Sequence, residues 1–390
     1  MNSQKPFLYF DHAATTSLHP MALEAMMPYL TGQYGNPSGV YSFARTVRKG
    51  VENAREQVAN AVSALPDEIT FTASGTESNN WAIKGVAEAL CSKGSHIITT
   101  IAEHHAITYV CERMAKQGLE ITYLPVNSEG FICPEDLKAA IRPDTILISI
   151  MWANNEIGTI QPISDLGAIA REKGILFHTD AVQAVGHIPV NLQNTPVDLL
   201  TMSAHKFGGP KGVGALYIRK GTKLKSLLYG GAQEKNRRAG TENVAGIAGM
   251  GAAIDIVAAD LTTEHKRLTQ MRDTLIQRIE ETIPKATLNG PRGYNRLPGN
   301  VNFSFDYIEG ESLLLLLDMQ GCCVSSGSAC SSASLEPSHV LTALGLPHEK
   351  IHGSIRFSLG RDSTYEDIDG LMIILPEIVE RLRSMSPLAE

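Results

Sequence analysis

The sequence predicts an α/β protein in which a large domain built on a mostly parallel sheet is followed by a smaller α+β domain at the C-terminal end. Three observations carry this reading. The chain has 390 residues, more than one hydrophobic core usually serves, so two domains are expected. Between about Asp67 and Ile218, short runs rich in Ile, Val and Thr alternate with stretches of helical period. That is the pattern of strands joined by helices that cover the faces of a parallel sheet. After about Ala258 the style changes to one long helical stretch followed by shorter strand-like pieces.

In chain order the runs read as strands are Glu68 to Thr72, His96 to Thr100, Thr145 to Met151, Ile175 to Thr179, Asp198 to Ser203 and Gly214 to Ile218. Several run into a small polar cluster: Ala73-Ser74-Gly75-Thr76-Glu77, Glu103-His104-His105, Asn154-Asn155-Glu156, Asp180-Ala181-Val182-Gln183 and Ser203-Ala204-His205-Lys206. Ligands of open α/β sheets gather beyond the carboxyl ends of the strands, so these clusters are candidates for one shared site. In the later part, the expected elements are a helix from Glu264 to Ile283, strand pieces at Asn300 to Phe305, Cys323 to Ser325 and Ser354 to Leu359, and a closing helix from Tyr365 to Met385. The expected bounds are 15–257 for the large domain, and 1–14 with 258–390 for the small one.

Composition narrows the functional classes. Hydrophobic residues make up 43% and charged residues 19%, near globular averages, which argues against disorder and against a coiled coil. The formal charge is −7, and no run of Lys and Arg compensates locally, so no nucleic-acid partner is expected. The longest uninterrupted apolar runs, Leu313 to Leu317 and Leu371 to Leu375, are too short to span a bilayer. Met1 to Phe10 lacks a basic start followed by an apolar core. No membrane partner is expected, and a cytoplasmic location is the simplest reading. The six cysteines form no CxxC pair, so reduced thiols are expected and no metal site.

Lys206 follows an apolar strand and precedes a glycine-rich turn, a placement that can put it in a cleft. A desolvated lysine can form a Schiff base with an aldehyde, the chemistry that anchors pyridoxal phosphate; a solvated loop lysine is the alternative. Asp180 ends another strand. About 4 Å from a pyridine nitrogen its carboxylate would be worth on the order of 4 kcal/mol, enough to hold the ring protonated. It could equally be a helix cap for the segment Ala181 to Gly186. The amides and hydroxyls of Ala73 to Glu77 open a helical stretch and suit a phosphate, or simply cap a helix. One ring of the His104-His105 pair could stack on a cofactor and shuttle protons; a metal is the alternative. Arg356 lies on an alternating strand, where its fork suits a substrate carboxylate or a structural ion pair. Val324 to Ser334 is dominated by small and polar residues, which predicts a mobile loop exposing the thiol of Cys330. Cys322 and Cys323 have an apolar context and are expected in the core.

Taken together these segments resemble the cysteine desulfurase family, of the NifS and IscS type, within the fold-type I pyridoxal-phosphate-dependent transferases. The similarity runs over nearly the whole chain. It includes Tyr9-Phe10-Asp11-His12-Ala13-Ala14-Thr15-Thr16, Tyr34-Gly35-Asn36-Pro37-Ser38, Arg238-Ala239-Gly240-Thr241-Glu242-Asn243, and Ser325-Ser326-Gly327-Ser328-Ala329-Cys330 followed by Leu335-Glu336-Pro337-Ser338-His339-Val340. The resemblance implies Lys206 as the Schiff-base lysine, Asp180 on the pyridine nitrogen, Gln183 near the ring hydroxyl and His105 over the ring face. It implies Gly75, Thr76, Ser203 and His205 on the phosphate, and Asn155 and Arg356 on the substrate carboxylate. It also implies a homodimer in which Thr241 reaches the neighbour's phosphate. The long loop around Cys330 looks like the group that hands sulfur directly to scaffold proteins, and the Arg238 to Asn243 motif looks closer to the NifS side. The implied reaction takes sulfur from L-cysteine, leaves it as a persulfide on Cys330 and releases alanine. An iron-sulfur scaffold or another acceptor protein would receive the sulfur, with transient ligation of an iron-sulfur cluster through Cys330 as a further expectation.

Overall fold

The computed structural model describes residues 7–326 and 337–386. A two-residue strand, β1 (Leu8–Tyr9), opens the chain and is followed by helices α1 (Pro20–Leu30) and α2 (Ser42–Ala61). The large sheet contains β2 (Ile69–Thr72), β3 (His96–Thr100), β4 (Glu120–Leu124), β5 (Thr145–Ser149), β6 (Leu176–Asp180), β7 (Leu199–Ser203) and β8 (Gly214–Ile218). Their spatial order is β2-β8-β7-β6-β5-β3-β4. Only β8 runs against the others, pairing antiparallel with both β2 and β7. Six strands therefore share one direction, and their carboxyl ends open on one edge of the sheet.

Helices α3 (Gly75–Ala89), α4 (His105–Ala115), α5 (Pro134–Ala140) and α6 (Ile163–Glu172) make the crossovers between β2 and β6. With helices over the sheet, every residue of β2, β3, β5, β7 and β8 is buried, which is why these strands read as continuous apolar runs and not as alternating ones. Strand β4 escaped the sequence reading. It is an edge strand, as β2 is, but whereas β2 is buried throughout, β4 begins at an exposed Glu120 and only Leu124 is fully buried, so neither apolar pattern marks it.

Two buried histidines tie the sheet together across its strands. His96 Nδ1 lies 2.7 Å from Thr145 Oγ1 and its Nε2 2.8 Å from Thr122 Oγ1. His178 Nδ1 lies 2.8 Å from Ser149 Oγ, and its Nε2 3.1 Å from Thr201 Oγ1. Complete burial pushes His178 down to about 3, so the ring is neutral and exchanges hydrogen bonds with hydroxyls on both sides.

After β8 comes α7 (Gln233–Asn236), a single turn in which Glu234, Lys235 and Asn236 all have positive φ (46°, 56° and 63°). Each such residue costs about 1–2 kcal/mol when it carries a Cβ. Helix α8 then runs unbroken from Val244 to Thr282, its N-terminus capped by Asn243 Oδ1, which accepts from Gly246 N at 3.1 Å. Its first part packs in the core of the large sheet and its second part in the core of the C-terminal elements. The expected boundary at 257/258 thus falls inside one continuous helix, and the expected start at Glu264 is twenty residues late. Glycines obscured the helical period of the first part. Gly249 and Gly251 are there because a Cβ would meet Met26 Cγ of α1 and Ala54 Cα of α2, each at 2.7 Å. The same Ala- and Gly-rich stretch makes α8 long and apolar enough to cross a membrane by composition, although no single apolar run in it is long; more than half of that window is buried.

The remaining strands are β9 (Ala286–Leu288), β10 (Asn300–Phe305), β11 (Cys322–Cys323) and β12 (Ser354–Ser358), and the remaining helices are α9 (Gly310–Met319), α10 (His339–Ala343), α11 (His348–His352) and α12 (Tyr365–Met385). Strands β12, β10 and β9 form an antiparallel sheet, and β1 pairs with β11. Phe10, beside β1, is buried with Phe303, Phe305 and Phe357 in the same core. Helix α12 begins on a capping box, Thr364 with Asp367. Cys322 is buried, whereas Cys323 is only half-buried.

Candidate active site

The polar clusters that follow β2, β3, β5, β6 and β7 meet in one cavity of about 310 Å³ at the shared carboxyl edge of the sheet, within the size range of small-molecule pockets. Lys206 enters from the turn after β7. Its Nζ donates to the carbonyls of Ala13 and Ala14 at 2.6 and 2.7 Å, so the N-terminal segment forms the wall against which the amine is held. Gln183 Nε2 donates to the same Ala13 carbonyl at 2.9 Å.

Asp180 ends β6 and is 6% exposed. Asn79 Nδ2 donates to its Oδ2 at 2.6 Å, and Val182 N donates to its Oδ1 at 2.9 Å. The capping role that the sequence allowed is thus present as a bond to Val182, yet no helix follows, and the carboxylate still lines the cavity.

At the other end, Ser74 caps α3 by accepting from Glu77 N at 3.1 Å. The amides of Gly75 and Thr76, in the first helical turn, have no intrahelical partner, and both residues line the cavity. Gly75 is required by close approach: a Cβ there would meet Val182 Cγ2 at 2.8 Å. Ser203 and His205 line the same end. Burial and the neighbouring Lys206 and Lys211 push His205 down to about 4, and its Nδ1 lies 3.2 Å from Thr15 Oγ1.

The adjacent histidines do different things. His104 caps α4, its Nδ1 accepting from Ala106 N at 3.0 Å. Burial lowers its pKa, and it feels both Asp180, which opposes that shift, and Lys206, which adds to it. His105 stacks on Tyr109 with ring centroids 4.7 Å apart and meets His339 at the same separation. His339 Nε2 in turn lies 2.7 Å from the Glu103 carbonyl.

Arg356 is almost wholly buried. Its Nη1 donates to the Asn155 carbonyl at 3.0 Å and its Nη2 to Asp11 Oδ1 at 2.8 Å, while its Nε–H has no hydrogen-bond partner among the described residues. The arginine therefore makes a structural ion pair and lines the cavity as well. Two carboxylates to which the sequence assigned no individual role are buried here, of which Glu156 lines the cavity. Glu156 accepts from Ser338 Oγ at 2.5 Å, and burial pushes it up to about 7. Glu103 is fully buried and held well above the ordinary carboxylate range by desolvation, with its Oε1 accepting from Met151 N at 2.7 Å.

Thr241 is exposed and does not line this cavity. Cys330 lies outside the described residues. The chain leaves toward it from Ser325, whose backbone pairs with that of Arg356, and returns at Ser338, bonded to Glu156. Both flanks of the cysteine segment are therefore fixed at the cavity. Asn79 and His339 line the cavity without having been singled out in the sequence, whereas Glu103 and Glu156 belong to clusters read after β3 and β5 but had no individual role.

Residues 8–371 match the family described as aminotransferase class-V. Among curated proteins, the chain is 60% identical over 380 residues to a cysteine desulfurase IscS of Dictyoglomus turgidum (strain DSM 6724 / Z-1310), covering 97% of this chain and 96% of that protein. It is 54% identical to one from Methanosarcina thermophila over 388 residues, covering 100% and 96%. Among solved structures, a NifS-like protein superposes with a TM-score of 0.91 at 38% identity, covering 97% of this chain and 100% of that one. The chain belongs to the aminotransferase class-V family, whose members of this kind are pyridoxal-phosphate-dependent, and its place within that family is among the cysteine desulfurases. Both curated relatives carry the IscS name and the structural relative the NifS-like one, so the names divide between the two sides that the Arg238 to Asn243 motif was read against.

Proposed function

We propose that this cysteine desulfurase holds pyridoxal phosphate with Lys206 at the aldehyde end, Asp180 at the pyridine nitrogen, Gln183 near the ring hydroxyl, and Gly75, Thr76, Ser203 and His205 around the phosphate. The observation that carries the assignment is the convergence of a lysine amine, a buried carboxylate and an open helix N-terminus in one cavity. The donor set fits the group: Asp180 keeps lone pairs beyond its two protein bonds, and Gly75, with no Cβ to meet Val182, lets the start of α3 pack close to the segment that follows Asp180. The cofactor supplies the electron sink that makes a bound amino acid's Cα proton acidic.

The protein's own groups do the rest. Lys206 Nζ takes the Cα proton of L-cysteine and returns one to the product. Arg356 and Asn155 orient the substrate carboxylate, with the Asp11 pair holding the guanidinium plane in place. The Cys330 thiolate attacks the substrate sulfur; the carbon–sulfur bond breaks, its electron pair stays with the substrate, and the sulfur remains on Cys330 as a persulfide. Protonation then yields alanine. His105 remains assigned over the ring face and as proton carrier at the thiol steps. His104, electrostatically linked to Asp180 and Lys206, is the neighbour to test beside it.

Homodimer formation belongs to the same reading. Met21, Met27 and Leu30 of α1, with Tyr34, Val40 and Tyr41, are exposed, and large apolar side chains left in water are what a second copy of the chain would cover. Thr241 outside its own cavity is what a contribution to a neighbour's phosphate needs. The acceptor proposed is an iron-sulfur scaffold, with transient cluster ligation through Cys330. The five described cysteines are free thiols, which fits the cytoplasmic location suggested by the sequence.

Lys206→Ala tests the assignment. The expected result is loss of the yellow, firmly held cofactor and a fall in alanine formation of about a thousandfold or more. Retention of both would remove Lys206 from the mechanism.

A further inference from the structure

The strained turn α7 is anchored to α2 and β2 by one ion pair, and Arg238, just after it, is tied to the first turn of α3 by a second; the reaction itself uses neither. The first pair holds the turn. Arg55 Nη1 and Nη2 each donate to the Glu234 carboxylate at 2.8 Å, and Glu234 Oε2 also accepts from Phe71 N of β2 at 2.9 Å. This buried latch fixes Glu234, Lys235 and Asn236 in a left-handed conformation that side chains seldom adopt. Next to the turn, Arg238 reaches Glu77: its Nε donates to Oε1 at 2.8 Å and its Nη2 to Oε2 at 3.1 Å, with side chains only 19% and 15% exposed. Glu77 Oε2 accepts in addition from Ala73 N at 2.9 Å, and Glu77 N is the amide capped by Ser74.

Glu77 lies in the first turn of α3, beside Thr76. A carboxylate suits a helix N-terminus by itself. Within about one 5.4 Å turn of a bound dianionic phosphate, however, it repels the ligand that the same turn is proposed to hold. A bidentate guanidinium cancels that charge and also fixes the turn's geometry. We propose that Arg238 is a positioning residue for the cofactor phosphate. It neutralises Glu77 at the anion cradle, and the Arg55–Glu234 latch delivers it there. The proposal rests on the placement of the phosphate at Gly75 and Thr76 given above.

The test uses cofactor-free full-length protein titrated with pyridoxal phosphate and, separately, with pyridoxal, and reads the ratio of the two affinities. Thr76→Ala checks the placement: a lowered ratio supports it, and an unchanged ratio overturns it together with this proposal. Arg238→Ala is expected to lower the ratio about tenfold, while Arg238→Lys, which keeps the charge, stays near wild type. The double variant Arg238→Ala with Glu77→Gln is expected to recover most of the loss, because the repelling charge is gone. If Thr76→Ala lowers the ratio but Arg238→Ala does not, the phosphate placement stands and the role of Arg238 falls. Failure of Glu77→Gln to restore the ratio likewise reduces the pair to an architectural contact. Thermal unfolding of each cofactor-free variant separates misfolding from loss of phosphate preference, and if Arg238→Ala does not fold, the uncharged Arg238→Gln takes its place: a lowered ratio supports the proposal and an unchanged one overturns it.

Discussion

Glu156 joins the cavity to the stretch of chain that returns from Cys330, and its protonation is sensitive to how that corner is packed. Burial raises its pKa to about 7 although Ser338 donates to it and Arg356 attracts its charge. A carboxyl whose folded value lies above its unfolded one destabilises the fold as pH rises through that window, because the unfolded chain gives up the proton first. Between about pH 4.5 and 7 the expected cost grows to about 3 kcal/mol. Glu156→Gln keeps an acceptor for Ser338 and removes the titration. Its thermal midpoint, measured on cofactor-free protein, should lie no higher than wild type at pH 4.5 and several degrees above it at pH 8; parallel curves would contradict this. Lys206, Asp180, Gly75 and Thr76 were legible in the sequence because each follows a recognisable strand. Asn79 was legible in principle, one helical turn beyond Gly75 and on the same face, but nothing local announces that it donates to Asp180. Glu103 and Glu156 were flagged only as members of the clusters after β3 and β5, and their partners, like the place of His339, come from contacts between remote segments, which no local pattern encodes.

Among the elements, the buried strands, the edge strand β2 included, were read within a residue or two of their ends, since burial on both faces leaves an apolar run that a sequence displays. The edge strand β4 and the glycine-rich half of α8 were not, the first for want of burial and the second because close packing on α1 and α2 needs residues that weaken a helical signal. The histidine ties within the sheet were equally silent. His178→Ala leaves Ser149 and Thr201 hydroxyls buried without that partner and opens a cavity, so a loss of about 2–4 kcal/mol is expected in denaturant unfolding. The pH dependence has a definite sign. With a folded value near 3 and an ordinary value of 6.5, His178 contributes stability above pH 6.5 that is lost as pH falls toward 3, where the unfolded chain is protonated and the folded one is not. The variant should lose less stability than wild type on acidification; an equal loss would show that the ring titrates normally.

At the scale of the whole molecule, the one-directional strands bring five sequence clusters to a single edge, and α8 links the core beneath them to the core that carries Arg356 and the flanks of the Cys330 segment. In the proposed mechanism, that linkage is what lets a cysteine more than a hundred residues from Lys206 serve the same substrate. The most direct test is release of sulfide and alanine from L-cysteine in the presence of a reductant, comparing wild type with Cys330→Ala. The expected result is equal amounts of both products from wild type, and loss of sulfide release by the variant while its bound cofactor keeps its colour. Full activity in Cys330→Ala would contradict the persulfide mechanism and leave Lys206 and Asp180 serving a different reaction.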